Sequence, residues 1–82
     1  MLAIQRLIKA IHGKRFAHER YASRKSYCGL EIQTTPIHCS YGVIGYAVNF
    51  FNHGLEKYQL SYDWEMDNLF ISDGVRRTKI TF

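Results

Sequence analysis

The sequence predicts an α+β fold, with one N-terminal helix packed on an antiparallel meander sheet of four or five strands. Three observations carry this expectation. Apolar residues near the N-terminus recur with helical period, the period changes to two from Tyr27 onward, and glycine-containing turn signals separate the alternating runs. At 82 residues the chain makes one domain, residues 1–82. Its 46% hydrophobic and 22% charged content favours a packed core over disorder. Five Phe, six Tyr and one Trp enlarge the core that so short a chain can build.

Ile4, Leu7, Ile8 and Ile11 fall at i, i+3, i+4 and i+7, with Gln5, Arg6, Lys9 and His12 on the other side. This spacing predicts a helix over 2–12, ended by Gly13 in the left-handed conformation and flanked by Lys14 and Arg15 at its negative end. Leu7 and Ile8 are expected to bury against Tyr58, Leu60 and Tyr62. Lys14–Lys25 reads as a short helix or a basic loop. Cys28, Leu30, Ile32 and Thr34 alternate with Gly29, Glu31, Gln33 and Thr35, a half-buried strand stopped by Pro36.

Tyr41–Phe51 admits two readings. Ser40 could cap a helix, but Gly42 and Gly45 would each weaken it by about 0.8–1 kcal/mol relative to Ala. A strand uses the β-branched and aromatic residues better and places Ile44, Tyr46, Val48 and Phe50 on one face, with Asn52-His53-Gly54 as a three-residue hairpin loop. In Lys57–Trp64, Tyr58, Leu60, Tyr62 and Trp64 form a core-facing side. Leu69–Ser72 and Val75–Thr81 flank Asp73-Gly74, which fits a two-residue type I′ hairpin.

The net charge of +4 conceals an asymmetry. Residues 1–25 hold Arg6, Lys9, Lys14, Arg15, Arg20, Arg24 and Lys25 against one acid, Glu19, whereas Glu56, Asp63, Glu65, Asp67 and Asp73 crowd the C-terminal half beside Lys57. Such asymmetry points to charged partners. No apolar run is long enough to span a membrane, and Arg6 and Lys9 interrupt the place of a secretory h-region. The first 18 residues, basic and amphipathic, only weakly imitate a mitochondrial presequence or a membrane-surface helix. Two cysteines, Cys28 and Cys39, are too few for a disulfide framework, so free thiols and a cytoplasmic location are expected.

No constellation identifies a reaction. His12, His18, His38, His53 and the cysteines lack zinc-ligand spacing, and the acidic stretch lacks the oxygen-ligand pattern and sharp-turn glycine of a calcium loop; neither a metal nor another cofactor is expected. Cys39 beside His38 or His53 could make a nucleophile and base, but adjacent strand residues point apart. A small ribonuclease would draw on His12, His18, Arg15 and Arg20, and no spacing singles out a pair. Gly42-Val43-Ile44-Gly45 has the letters of a G-x-x-G clamp for RNA; its Val and Ile read better as a bulge or a close backbone approach in a sheet.

Two binding surfaces are expected instead. Lys14, Arg15, Phe16, Arg20, Tyr21, Arg24 and Lys25 interleave cations with aromatics, as phosphates and unpaired bases require. Asp63, Trp64, Glu65 and Asp67, with Met66, could set an aromatic anchor among steering carboxylates in a basic groove of a partner. The sequence thus suggests a small non-catalytic binding protein that blocks or modulates a larger protein or nucleoprotein, comparable in size and class alone to phage inhibitors such as anti-CRISPR proteins. The alternative is an RNA- or single-stranded-DNA-binding protein using the basic segment.

Overall fold

A computed structural model describes residues 2–17, 20–52 and 54–81. Helix α1 (Leu2–His12) precedes six strands: β1 (Ser23–Tyr27), β2 (Leu30–Cys39), β3 (Gly42–Phe50), β4 (Gln59–Asp63), β5 (Asn68–Ser72) and β6 (Arg77–Lys79). The strands lie side by side in chain order, each antiparallel to the next. The α+β meander is therefore present with six strands rather than four or five.

The additional strand is β1. Its Ser-Arg-Lys-Ser-Tyr has no apolar face to announce it, and it occupies a sheet edge, where charged side chains discourage further pairing. Tyr27 pairs with Leu30, so Cys28 and Gly29 form the two-residue turn, with φ of 51° and 82°. Positive φ at both positions is the signature of the type I′ hairpin. Asp73-Gly74 does not make such a turn. Ser72 pairs with Arg77, giving a four-residue loop in which the Asp73 carboxylate accepts from the Val75 and Arg76 N–H groups. Those donors hold the Asp73 carboxyl below its usual range.

Pro36 does not stop β2, which continues to Cys39. The bond from Phe51 N–H to Glu31 O shows that odd residues of β2 turn their backbone groups toward β3. The proline nitrogen therefore points the other way, past Ser23, where β1 has ended. No ladder bond is lost there. The β3–β4 connection is longer than a three-residue loop because Leu55 turns into the core; His53 lies outside the described residues. The helix end also differs: Lys14, not Gly13, is left-handed (φ 59°), with Lys14 N–H on Ile11 O and Arg15 N–H on Ala10 O. Those two bonds make a Schellman motif. Lys14–Ala22 is a loop, not a second helix, among its described residues.

One sheet face carries the core: Leu30, Ile32, Tyr46, Val48, Phe50, Leu60, Tyr62 and Leu69, joined by Leu7 and Ile11 of α1 and by Phe16. Among the described helix residues Leu7 and Ile11 are fully buried, whereas Ile8 is only half-buried at the margin of the cluster. No helix among the described residues is long and apolar enough to cross a membrane.

The Gly42–Gly45 stretch is a bulge. Ile37 pairs with Gly45 but His38 with Val43, leaving Ile44 as the extra residue of β3. At Gly45 the β4 backbone comes so close that a Cβ would stand 1.9 Å from the Tyr62 carbonyl oxygen. Gly45→Ala should therefore cost at least about 3 kcal/mol, at the upper end of overpacking penalties, in urea unfolding. A loss below about 1 kcal/mol would contradict the close approach. Ile11→Ala should cost about 2–5 kcal/mol and exceed Ile8→Ala in the same assay; the reverse order would reassign the buried helix stripe.

Candidate functional site

Arg20 and Tyr21 from one of the stretches singled out in the sequence and Trp64 from the other lie together in the structure. Arg20 and Tyr21 from the loop before β1, His38 from β2, Tyr41, Gly42 and Val43 from the β2–β3 corner, and Trp64 after β4 line an open cleft of about 630 Å³. The tight turn at Ser40-Tyr41 and the β3 bulge bring the corner beside the end of β4, where Trp64 N–H donates to Ile44 O. Trp64 is half-buried, its ring 6.2 Å from that of Tyr46, so it is the floor of the cleft. Tyr21 and Tyr41 are 82% and 72% exposed. The Tyr41 hydroxyl donates to Glu65. Cys39 and then Glu65 push its pKa above the ordinary value.

The rest of the acidic loop is built into the fold. Asp63 accepts from the Glu65 and Met66 N–H groups and closes the β4–β5 turn. Asp67, left-handed at φ 54°, accepts from the Tyr62 hydroxyl and stands 3.9 Å from His12 at the end of α1. Of the acidic set, Trp64 reaches the cleft directly and Glu65 reaches it through Tyr41, while Asp63 and Asp67 serve turns. Met66, 68% exposed, projects from the same loop.

The basic segment is divided. Arg20 and Tyr21 go to the cleft. Phe16 is 6% exposed and packs edge-on against Tyr27 and near Tyr46, so it is a core residue with no free face for a base. Lys25 lies over Phe16 on the helix side of β1, whereas Arg24 crosses to the other sheet face and lies 4.3 Å over Phe51. Lys14 and Arg15 remain at the end of α1. The sequence pattern did not point to Tyr41 as a site residue, and it raised His38 only for metal or nucleophile chemistry. The available signal was a tyrosine within the Ser-Tyr-Gly corner, where no strand face could bury it.

Among the described residues, no three His, Cys, Asp or Glu side chains gather as a metal site. His38 and Cys39 follow one another on β2, with Cys28 exposed and Cys39 half-buried as free thiols. Of the residues weighed for zinc, nucleophile and ribonuclease chemistry, His18 and His53 lie outside the described residues. Comparison with known protein families, curated proteins and solved structures finds no match.

Burial first, and then the bond to Asp67, raises the Tyr62 hydroxyl well above its ordinary pKa. A group that titrates higher in the folded state contributes fully below its unfolded pKa of about 10 and loses that contribution as the pH rises beyond it. Tyr62→Phe should cost about 1–2 kcal/mol at neutral pH through the lost hydrogen bond. The variant should also lose less stability than the parent between about pH 9 and 11 in urea titrations. Parallel alkaline losses in both proteins would exclude Tyr62 as the responsible group.

Proposed function

We propose that the protein is a non-catalytic binding protein that docks on a larger protein or nucleoprotein and blocks or modulates it. The observation that supports this reading is the convergence of Arg20, Tyr21, Tyr41 and Trp64, from three separate segments, on one open cleft. Tyrosine, tryptophan and arginine are the residue types that dominate interface energetics, because they bury large rigid areas while keeping a polar end for a directed bond. Here the half-buried Trp64 indole and two exposed tyrosines line the same cleft.

The docking contact is a protein surface. Tyr21 and Tyr41 offer amphipathic rings with hydroxyls, and Arg20 offers a planar fork for a carboxylate or carbonyl. The carboxylates contribute less than the sequence suggested, since Asp63 and Asp67 are engaged in turns.

The test is affinity capture from nuclease-treated lysate followed by titration of the captured partner. Tyr21→Ala/Tyr41→Ala, with folding checked by circular dichroism, should weaken that partner's binding at least about thirtyfold, the effect of losing about 2 kcal/mol at an interface centre. Undiminished binding by the double variant, or capture abolished by nuclease, would overturn the assignment.

A further inference from the structure

A second concavity lies at the C-terminal end of α1, away from the Trp64 cleft. Arg6, Lys9, Ala10 and Gly13 of the helix and its end, Arg15 and Phe16 of the following loop, and Tyr27 of β1 line a groove of about 480 Å³. Of its seven described lining residues three are cations and none is an acid. Among the described residues, no carboxylate lies within ion-pair distance of Arg6, Lys9 or Arg15; the carboxylate at this end of the helix, Asp67, stands 3.9 Å from His12.

Basic residues at a helix C-terminus have an ordinary explanation, the attraction of the helix dipole. That end carries only about half a negative charge, and its last carbonyls already accept from Gly13, Lys14 and Arg15 N–H groups. Three full positive charges around one groove exceed what the dipole can balance. Clustering them raises the energy of the free protein through mutual repulsion, which a bound polyanion relieves.

We propose that this groove binds the backbone of a single-stranded nucleic acid, with Arg6, Lys9 and Arg15 on successive phosphates. Arg6 and Lys9 are three residues apart on the helix, which places their Cβ atoms about 5–6 Å from each other, near enough to serve neighbouring charges along one strand. A concave basic groove that tracks a single backbone is the mode of sequence-independent single-strand binding, whereas a duplex is entered by an element that projects into its grooves. Phe16 is held in the core, so contact is with phosphates and sugars, and the half-buried Tyr27 ring is the one aromatic wall a base can touch. An anionic membrane fits less well. The apolar stripe of α1, Leu7 and Ile11 above all, is taken up by the core rather than presented for insertion.

The site is independent of the Trp64 cleft and is read by a different experiment. Fluorescence anisotropy with a labelled 20-nucleotide oligouridylate should show binding that weakens about twentyfold between 50 and 200 mM salt, as expected for three single-strand phosphate contacts. In Arg6→Gln/Lys9→Gln the dependence should fall to about threefold, with reduced affinity at low salt. Arg76→Gln/Lys79→Gln removes the same charge at and beside β6, the opposite sheet edge from β1, and should keep the steep dependence. Equal effects of the two double variants would reduce the site to diffuse charge and overturn it. The proposal is likewise overturned if the oligonucleotide fails to bind at 50 mM salt, or if a duplex, polyglutamate or phosphatidylserine vesicles bind as tightly.

Discussion

The position on which most of this structure depends is the near-contact between two backbones at Gly45. With no Cβ there, the Tyr62 carbonyl of β4 occupies space that any other residue would fill. Beside it, the unpaired Ile44 bends β3 and still accepts from Trp64 N–H. That bond carries the chain past the end of β4 and turns the indole toward Tyr46. The same bend sets the Ser40-Tyr41 corner next to the β4–β5 loop, close enough for Tyr41 to donate to Glu65. A constraint on one glycine thus decides both the inner packing of Trp64 and the outer shape of the cleft above it.

The charge asymmetry acquires a physical meaning once the turns are traced. Asp63 and Asp73 each accept two backbone N–H groups of their own turns, Asp67 receives the Tyr62 hydroxyl and Glu65 that of Tyr41. Short acidic side chains are suited to this work, because a carboxylate two or three residues before an unpaired N–H mimics a turn of backbone. The negative half of the sequence is therefore largely committed to holding the hairpins. Among the described residues no such commitment binds Arg6, Lys9 and Arg15, so their charges stay uncompensated at the end of the helix.

How much of this was legible follows from what each feature does to the sequence pattern. The helix and the inner strands were readable because they bury a face, and burial imposes a period: Leu7 and Ile11 on one stripe, Leu60 and Tyr62 on one side of a strand. The glycines at 42 and 45 were readable as a bulge or close approach because two apolar residues between them exclude a polar loop. An edge strand such as Ser23–Tyr27 buries little and leaves no such trace. Pro36 misled because its effect depends on which way its nitrogen points, a property of pairing register that no local window contains. The strand position expected for Cys28 and the turn expected at Asp73-Gly74 failed similarly. Cys28 adopts positive φ against its preference because Tyr27 and Leu30 are held in register, whereas Asp73 instead satisfies its carboxylate.

The basic segment shows how core packing divides a stretch that composition presents as one face. Interleaved cations and aromatics suggested one continuous face, but an aromatic in a small protein is drawn first to the core, where its area is worth most. Phe16 yields to that pull and becomes a pin in the middle of the loop, its ring between Tyr27 and Tyr46. The pin divides the segment: Arg15 is left beside the helix end, and Arg20 and Tyr21 are carried to the Trp64 cleft. Upstream the loop is fixed by the Schellman bonds of Lys14 and Arg15, and downstream by Ser23, whose hydroxyl meets that of buried Thr34 at 3.1 Å. Side chains presented from a span anchored at both ends and at an interior aromatic lose less freedom on binding than those of a free tail. The same burial that removes Phe16 from contact with a ligand therefore preorganises the residues on either side of it.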